Sequence, residues 1–396
     1  MASRKPAILI IVENLPVPLD RRVWQESLAL RDAGYEVVVI CPKMRGWNGA
    51  YEFRDGIHIY RHWISGEAKG LTGFLMEYGS ALLGELLLSL KVWFRHRVEV
   101  VHLCNPPDLL FLVALPLKLL GGVRVIYDVH DVWPEMFEAK FARRGLLYWG
   151  VRLAEWCTYR LADVVIATNE SVQATARQRG GKSEEDVYVV RTAPSIGTLD
   201  VASDETLKHG RRYLVGYVGV MGNADGVHLL LDAIHHFVTV LGRTDTQFLL
   251  MGTGPEFEEL LKQRDRLALP ELVEMPGRVS DEFLFAALQT MDLGVSSDPK
   301  NGYNDHCTMN KVLEYMAFGK AQVMFDLCEG RASAGEAAHY VSENCPKALG
   351  QAIADRLDDA EGRGEMGRIG RRRLSEKLNW DRSVDQLLKA YRAVRS

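Results

Sequence analysis

Runs of consecutive apolar residues alternate along the chain with stretches whose apolar positions return every third or fourth residue. The first pattern suits strands buried on both faces of a parallel sheet, the second the helices that cover it. Ala7–Val12 is such a strand. A helix follows from Asp20, a good N-cap, to Ala33, with Gly34 as its stop, and then the strand Glu36–Ile40. The order repeats in the strand Val98–Leu103, the turn Asn105-Pro106-Pro107-Asp108, the helix Leu109–Leu120 and the strand Val123–Tyr127. Asp163–Ala167 is a further strand.

Between Ala193 and Arg212 the pattern lapses into Pro, Ser, Thr, Asp and Gly, which marks a linker. Beyond it come the strand Tyr213–Val218, a helical face through Leu230, Leu231, Ile234, Val238 and Leu241, and the strand Gln247–Met251. Next are a helix opening on Pro255, a helix over Phe283–Leu288, the strand Leu293–Ser296, a helix over Asn310–Phe318 and the strand Ala321–Phe325. Helices are expected to fill the remainder, the last over Ser383–Val394.

A chain of 396 residues exceeds one ordinary core and suits two domains. The expectation is an α/β protein of two Rossmann-like, doubly wound domains facing a cleft, residues 1–195 and 196–380, with the final helix, 381–396, packing back on the first. Ligands of such sheets bind beyond the carboxyl ends of the strands, where the strand order reverses.

Composition removes several classes. An apolar share of 47% and a charged share of 25% describe a globular protein. The net charge of −4, with no basic run carrying interleaved aromatics, argues against nucleic acid as a partner. The six cysteines form no Cys-x-x-Cys pair and read as free thiols in a reducing compartment. The apolar run at Ala7 is too short for a signal sequence, so a cytoplasmic location is expected. Leu71–Phe94 is rich in leucine, but Glu77, Glu85 and Lys91 make it a poor membrane span. It reads either as a buried core helix or as an interfacial helix within 71–97, whose Arg95 and Arg97 end meets the headgroups of the inner membrane face.

The most specific stretch is Asn304-Asp305-His306-Cys307-Thr308-Met309-Asn310-Lys311-Val312-Leu313-Glu314-Tyr315-Met316-Ala317-Phe318-Gly319. It resembles the donor-binding motif of the retaining GT-B glycosyltransferases of glycosyltransferase family 4, and the resemblance extends over essentially the whole chain. It implies that Glu314 accepts hydrogen bonds from the ribose hydroxyls of a donor nucleotide, a directional anchor for a carboxylate. The amides near Met309 and Asn310 would receive the diphosphate at a helix start, with Lys311 adding positive charge. His306 stands where the family has a sugar-contacting glutamate.

Gly219-Val220-Met221-Gly222-Asn223-Ala224-Asp225-Gly226 is similar to the family's glycine-rich loop, which implies that Gly219, Gly222 and Asn223 border the donor. Val220 and Asp225 occupy the positions of the family's Arg and Lys. Gly252-Thr253-Gly254-Pro255 resembles a turn near the nucleotide base, which brings in Gly254. In the segment Tyr127–Glu135 the resemblance assigns His130 to the donor's sugar ring near the reaction centre, with Asp131 toward the acceptor. Asn14–Arg22 looks like a family subset with a Pro-rich turn. Asn14 and Pro16 would then line the cleft, while Arg21 and Arg22 meet phosphates or acceptor, Arg22 in a catalytic role.

The resemblance implies metal-independent transfer of a sugar, with retention, from a nucleotide-sugar (a UDP-sugar foremost) to a glycan or lipid-linked acceptor bound on the side of the first domain. The nucleotide-sugar is a co-substrate, and no further cofactor is expected. No Asp-x-Asp occurs, and His58 and His62 lie on a strand-like run that does not form one zinc face. Three other readings stand beside this one: transfer to a small natural-product acceptor, a sugar-nucleotide 2-epimerase, and a non-catalytic homologue that keeps the fold.

Overall fold

The computed structural model describes residues 5–44, 46–63, 70–141, 144–193 and 201–395, the side chains of 70–78 and 140 excepted. The expected domain boundary at 195/196 lies outside the described residues. Two compact units are present, Met1–Thr192 with Asp381–Ser396, and Ala193–Trp380.

The first unit is built on β1 (Ala7–Val12), β2 (Glu36–Pro42), β3 (Tyr51–Arg54), β4 (Ile57–His62), β5 (Val98–Cys104), β6 (Arg124–Val129), β7 (Val164–Ala167) and β8 (Val187–Val189). They form one sheet in the order β3-β4-β2-β1-β5-β6-β7-β8, parallel except for the β3–β4 hairpin. Every residue of β1 is buried, as a central parallel strand requires. The helices are α1 (Arg21–Asp32), α2 (Gly70–His96), α3 (Phe111–Gly121), α4 (Trp133–Phe141), α5 (Leu146–Leu161) and α6 (Glu170–Gln178). From β1 the chain moves to β2 on one side, and β5 lies on the other, so the loops after β1 and β5 flank the reversal of strand order.

The second unit carries β9 (Tyr213–Val218), β10 (Thr246–Met251), β11 (Val273–Gly277), β12 (Leu293–Ser296), β13 (Ala321–Phe325) and β14 (Ala338–Val341), all parallel, in the order β11-β10-β9-β12-β13-β14. Its helices are α7 (Val227–Thr239), α8 (Phe257–Arg266), α9 (Asp281–Thr290), α10 (Asn310–Ala317), α11 (Cys328–Ala334), α12 (Pro346–Asp358) and α13 (Ala360–Lys377). One apolar cluster gathers around α7, β10 and α12, another around α9, α10 and β13. Here the reversal lies between β9 and β12.

The last helix, α14 (Trp380–Ala393), buries Leu387, Ala390 and Tyr391 in the first unit. Its Tyr391 hydroxyl lies 2.8 Å from Nδ1 of His102 on β5, and Ser383 donates to the Arg191 carbonyl at 2.8 Å.

Two expectations are corrected. Ala338–Val341, expected within helices, is the edge strand β14, because pairing with β13 overrides the weak local signal of four residues. Pro255 does not open α8, which starts at Phe257. The Glu256 amide instead donates to the Met221 carbonyl at 3.0 Å and holds the preceding turn. Among the described residues no helix is long and apolar enough to cross a membrane.

Candidate active site

In the first unit the sequence-assigned residues gather where the strand order reverses. Asp20 caps α1 by accepting from the Val23 amide at 3.0 Å, which fixes the first turn and carries Arg22 inward. The Arg22 guanidinium is buried and grips Asp128, at the end of β6, with Nε to Oδ2 at 3.0 Å and Nη2 to Oδ1 at 2.7 Å. It also donates to the Val190 carbonyl at 2.7 Å and to Thr192 Oγ1 at 3.3 Å, and lies 3.1 Å from Glu26. The expectation that Arg22 extends to a phosphate or acceptor is therefore revised, since a buried guanidinium keeps the carboxylates that compensate it. Arg21, Asn14 and Pro16 take different positions: Arg21 and Asn14 are exposed, Pro16 is buried and its carbonyl accepts from the Asp20 amide at 3.0 Å.

His130 shares the carboxylate that Arg22 holds, with Nε2 2.7 Å from Asp128 Oδ2. Burial alone would lower the pKa of this imidazole, but Asp128 outweighs it and raises the value above the usual histidine range. Burial likewise pushes Asp128 upward, and Arg22, then His130, hold it well below the usual carboxylate range. Glu26, one turn after Arg22, is pushed up by its burial. The backbone of the loop is clamped by Asn105, whose Oδ1 accepts from the His130 amide at 2.7 Å and whose Nδ2 donates to the Asp131 carbonyl at 2.8 Å. Asp128, Glu26 and Asn105 received no role from the sequence, although an Asp two residues before His130 at a strand end was a usable signal.

In the second unit the loops after β9, β10 and β12 interlock. Gly226 has φ +63, and a Cβ there would lie 2.0 Å from the Ser297 carbonyl oxygen; a Cβ on Gly252 would lie 1.8 Å from that of Gly219. These glycines are thus required by loop packing itself. Gly254 meets Met221 in the same way, and Gly222 with Asn223 borders a shallow depression also lined by His228, Glu256, Gln263 and Arg266. Asp225, at the family's Lys position, turns back on its own loop and accepts from the Gly222 amide at 3.0 Å. Val220 is exposed.

Lys311 comes up against Gly219, where a Cβ would meet its Cε at 3.0 Å. Its ammonium is buried and donates to both oxygens of Asp298, at 2.8 and 2.9 Å, with the Tyr217 ring 4.8 Å away. The expectation that Lys311 adds positive charge for the diphosphate is revised: Asp298, buried just after β12, already balances it. Asn304 ties the same loops together, donating to the carbonyls of Ala224 at 2.9 Å and Pro299 at 2.8 Å.

α10 starts at Asn310, which is exposed, and Met309 before it offers no side-chain cap. Along this largely buried helix Glu314 is a partly exposed position. Tyr315 anchors it, accepting from the Val218 amide at 3.2 Å and donating to the Val295 carbonyl at 3.0 Å. His306 sits in a short turn, Asn304–His306, and Asp305 beside it accepts from the Cys328 amide at 3.0 Å. Asp298 had no periodic or motif signal, while Tyr217 was read only as part of the strand Tyr213–Val218 and Asn304 only as the first residue of the stretch that resembles the donor-binding motif.

Among the described residues two groups of side chains have the composition to hold a metal, Glu36 with His58 and His96, and His102 with Cys104 and Asp128, each offering ligand atoms within 4.8 Å of one another. In the second, Asp128 is already taken by Arg22 and His130. His58 and His62 part company: His62 faces Glu85 at 3.4 Å.

A family model for a glycosyl transferase 4-like domain matches residues 19–191, and one for glycosyl transferases group 1 matches residues 212–359. No curated protein matches the sequence. Among solved structures the chain is similar to sucrose-phosphate synthase from Thermosynechococcus elongatus, at 17% identity over 99% of both chains with a TM-score of 0.81. It is similar to HepE of Anabaena in complex with UDP-glucose, at 16% identity over 98% of this chain and 99% of that one, TM-score 0.73. A trehalose-6-phosphate protein of E. coli bound with UDP-2-fluoro glucose shares 9% identity over 98% and 99%, TM-score 0.76. These likenesses identify the fold, two parallel-sheet Rossmann-like domains of the GT-B type.

Proposed function

The chain belongs to the group 1 and 4-like glycosyltransferases, and on that premise we propose that it moves a sugar from a UDP-sugar to a glycan or lipid-linked acceptor, with retention and without a metal ion. The observation that carries the donor assignment is the meeting of Gly219 with Lys311 at the head of α10, where the strand order of the second sheet reverses. Such a place suits a phosphate-bearing ligand. The UDP-sugars bound by HepE and by the E. coli structure support uracil as the base.

In this reading Glu314 accepts from the ribose hydroxyls and the first amides of α10 face the diphosphate, their position fixed by the Lys311–Asp298 pair. His130 contacts the sugar ring, and Asp128 beside it favours its protonated form. Arg22 acts through Asp128 as a positioning residue. The bond from the anomeric carbon to the diphosphate breaks while the acceptor oxygen bonds to the same face. The acceptor proton passes to the departing phosphate oxygen, so no protein nucleophile is required. Amide dipoles fixed before reaction stabilise the charge that develops, and losing one such donor costs on the order of 3 kcal/mol.

The test is UDP release from a panel of UDP-sugars, with and without soluble and lipid-linked acceptors, with the product's anomeric configuration read by NMR. Acceptor-dependent release with retention supports the proposal. Conversion of donor without acceptor would instead make the protein an epimerase, and no turnover of any donor would sink the assignment.

A further inference from the structure

Two helices of the first unit, α2 and α5, bury polar side chains while large apolar ones face outward. On α2 the polar residues Glu85, Ser89 and His96 are buried, whereas Leu83, Leu87 and Phe94 are 58%, 59% and 74% exposed. On α5 Glu155 and Thr158 face inward, and Leu146, Trp149, Leu153 and Trp156 face outward. Their spacing of three and four residues puts these four on one helical face, with Leu146 93% exposed. α3 lies between, touching both α2 and α5, and exposes Leu119 and Leu120. α2 packs on β1, β2, β4 and β5, and α3 on β5 and β6, so the three form one layer against the sheet.

Water does not account for this face. The second unit has the same sheet-and-helix build, and among its described large apolar residues only Val220 and Val240 are exposed. The contiguous outward leucines and tryptophans of the first unit therefore mark an interaction surface.

Charge selects the partner. Among the side chains described on these three helices, the exposed charged ones are Lys91, Arg95 and Arg160, and the carboxylates Glu85 and Glu155 are buried. Arg97 extends the basic rim; beside it Arg144 is paired with Glu138 at 2.8 Å, Lys118 and Arg124 with Asp163 at 2.8 and 3.7 Å, and Glu99 with Arg395 at 3.4 Å. This rim is positive on a chain whose net charge is −4. A second copy would bring two positive rims together, whereas anionic headgroups neutralise one. Tryptophans beside leucines, edged by cations, are the composition of a helix lying in a lipid interface.

We propose that the outer face of α2, α3 and α5 is a docking surface for an anionic lipid bilayer, with the leucines at the acyl boundary and Trp149 and Trp156 among the headgroups. The docking is independent of sugar transfer. Its consequence, an acceptor anchored in lipid, rests on the transfer reading above.

The test uses the full chain and no sugar. Co-sedimentation is measured with phosphatidylcholine vesicles, with and without phosphatidylglycerol, alongside light scattering and thermal melting. The wild type is expected to bind the anionic vesicles, with weaker binding at high salt. Trp149→Glu/Leu153→Glu should weaken partitioning at least about tenfold at an unchanged melting temperature, since both positions are exposed. Arg95→Glu/Arg160→Glu should lose only the preference for phosphatidylglycerol. Absence of wild-type binding, binding unchanged in the Trp149→Glu/Leu153→Glu variant, or a wild-type dimer that this variant dissolves without any vesicle binding would each overturn the proposal.

Discussion

Oδ2 of Asp128 lies 2.7 Å from Nε2 of His130, and the same buried carboxylate is held by both faces of the Arg22 fork. A histidine near a loop surface is thereby tied to a charge network that includes Glu26 and His102 beneath it. The expected outcome for Asp128→Asn is twofold. Stability should fall by about 3–5 kcal/mol, as when one partner of a buried ion pair is removed, read from denaturant unfolding. The His130 imidazole should also titrate at lower pH than in the wild type, read by NMR. An unmoved titration would contradict the pairing.

His130→Ala should cost more in turnover than in nucleotide affinity, because its proposed contact is with the sugar rather than the base. Steady-state kinetics and calorimetry on one preparation separate the two effects. Wild-type turnover in this variant would make His130 a structural residue.

Glu314→Ala is expected to weaken UDP binding while leaving the melting temperature near that of the wild type, since the side chain is partly exposed. A hydrogen bond to a charged group is worth about 1.5–3 kcal/mol. Calorimetric titration with UDP decides it, and equal affinity removes Glu314 from the donor site.

Glu155 gives a pH prediction. Burial raises its pKa from 4.5 to about 7, against the opposing pull of Arg179, which lies 2.7 Å away. The folded state then binds more protons than the unfolded state between these values. The contribution is fully present below about pH 4.5 and is lost as pH rises through about 7, up to about 3 kcal/mol in all. Glu155→Gln should flatten that part of the stability profile. Arg179 keeps Glu135 as a partner in the variant, so the pair is not orphaned. Unfolding midpoints of both proteins across pH 4 to 8 provide the test, and parallel profiles would refute it.

Transfer activity should survive excess EDTA, because the sequence holds no Asp-x-Asp and helix-start amides can stabilise the diphosphate. Activity lost to EDTA and restored by magnesium or manganese would overturn metal independence. The Glu36–His58–His96 group would then be the first place to substitute.

The alternation of apolar runs and helical faces sufficed for β1, β9, β12 and β13, since a strand buried on both faces is written mostly in apolar residues. The run around Glu314, with Tyr315 and Gly319, was legible for a related reason: a helix start, an anchor and a stop fall within one short segment. What the sequence could not determine was how side chains far apart in the chain divide their charge. Arg22 and Lys311 read as available cations, yet Asp128, 106 residues on from Arg22, and Asp298, 13 residues before Lys311, neutralise them. No local period encodes such a partner, because strand order alone sets it. The same holds for α2, whose leucines suggested either a core or an interface. Only the burial of Glu85 and Ser89 turned Leu83 and Leu87 outward.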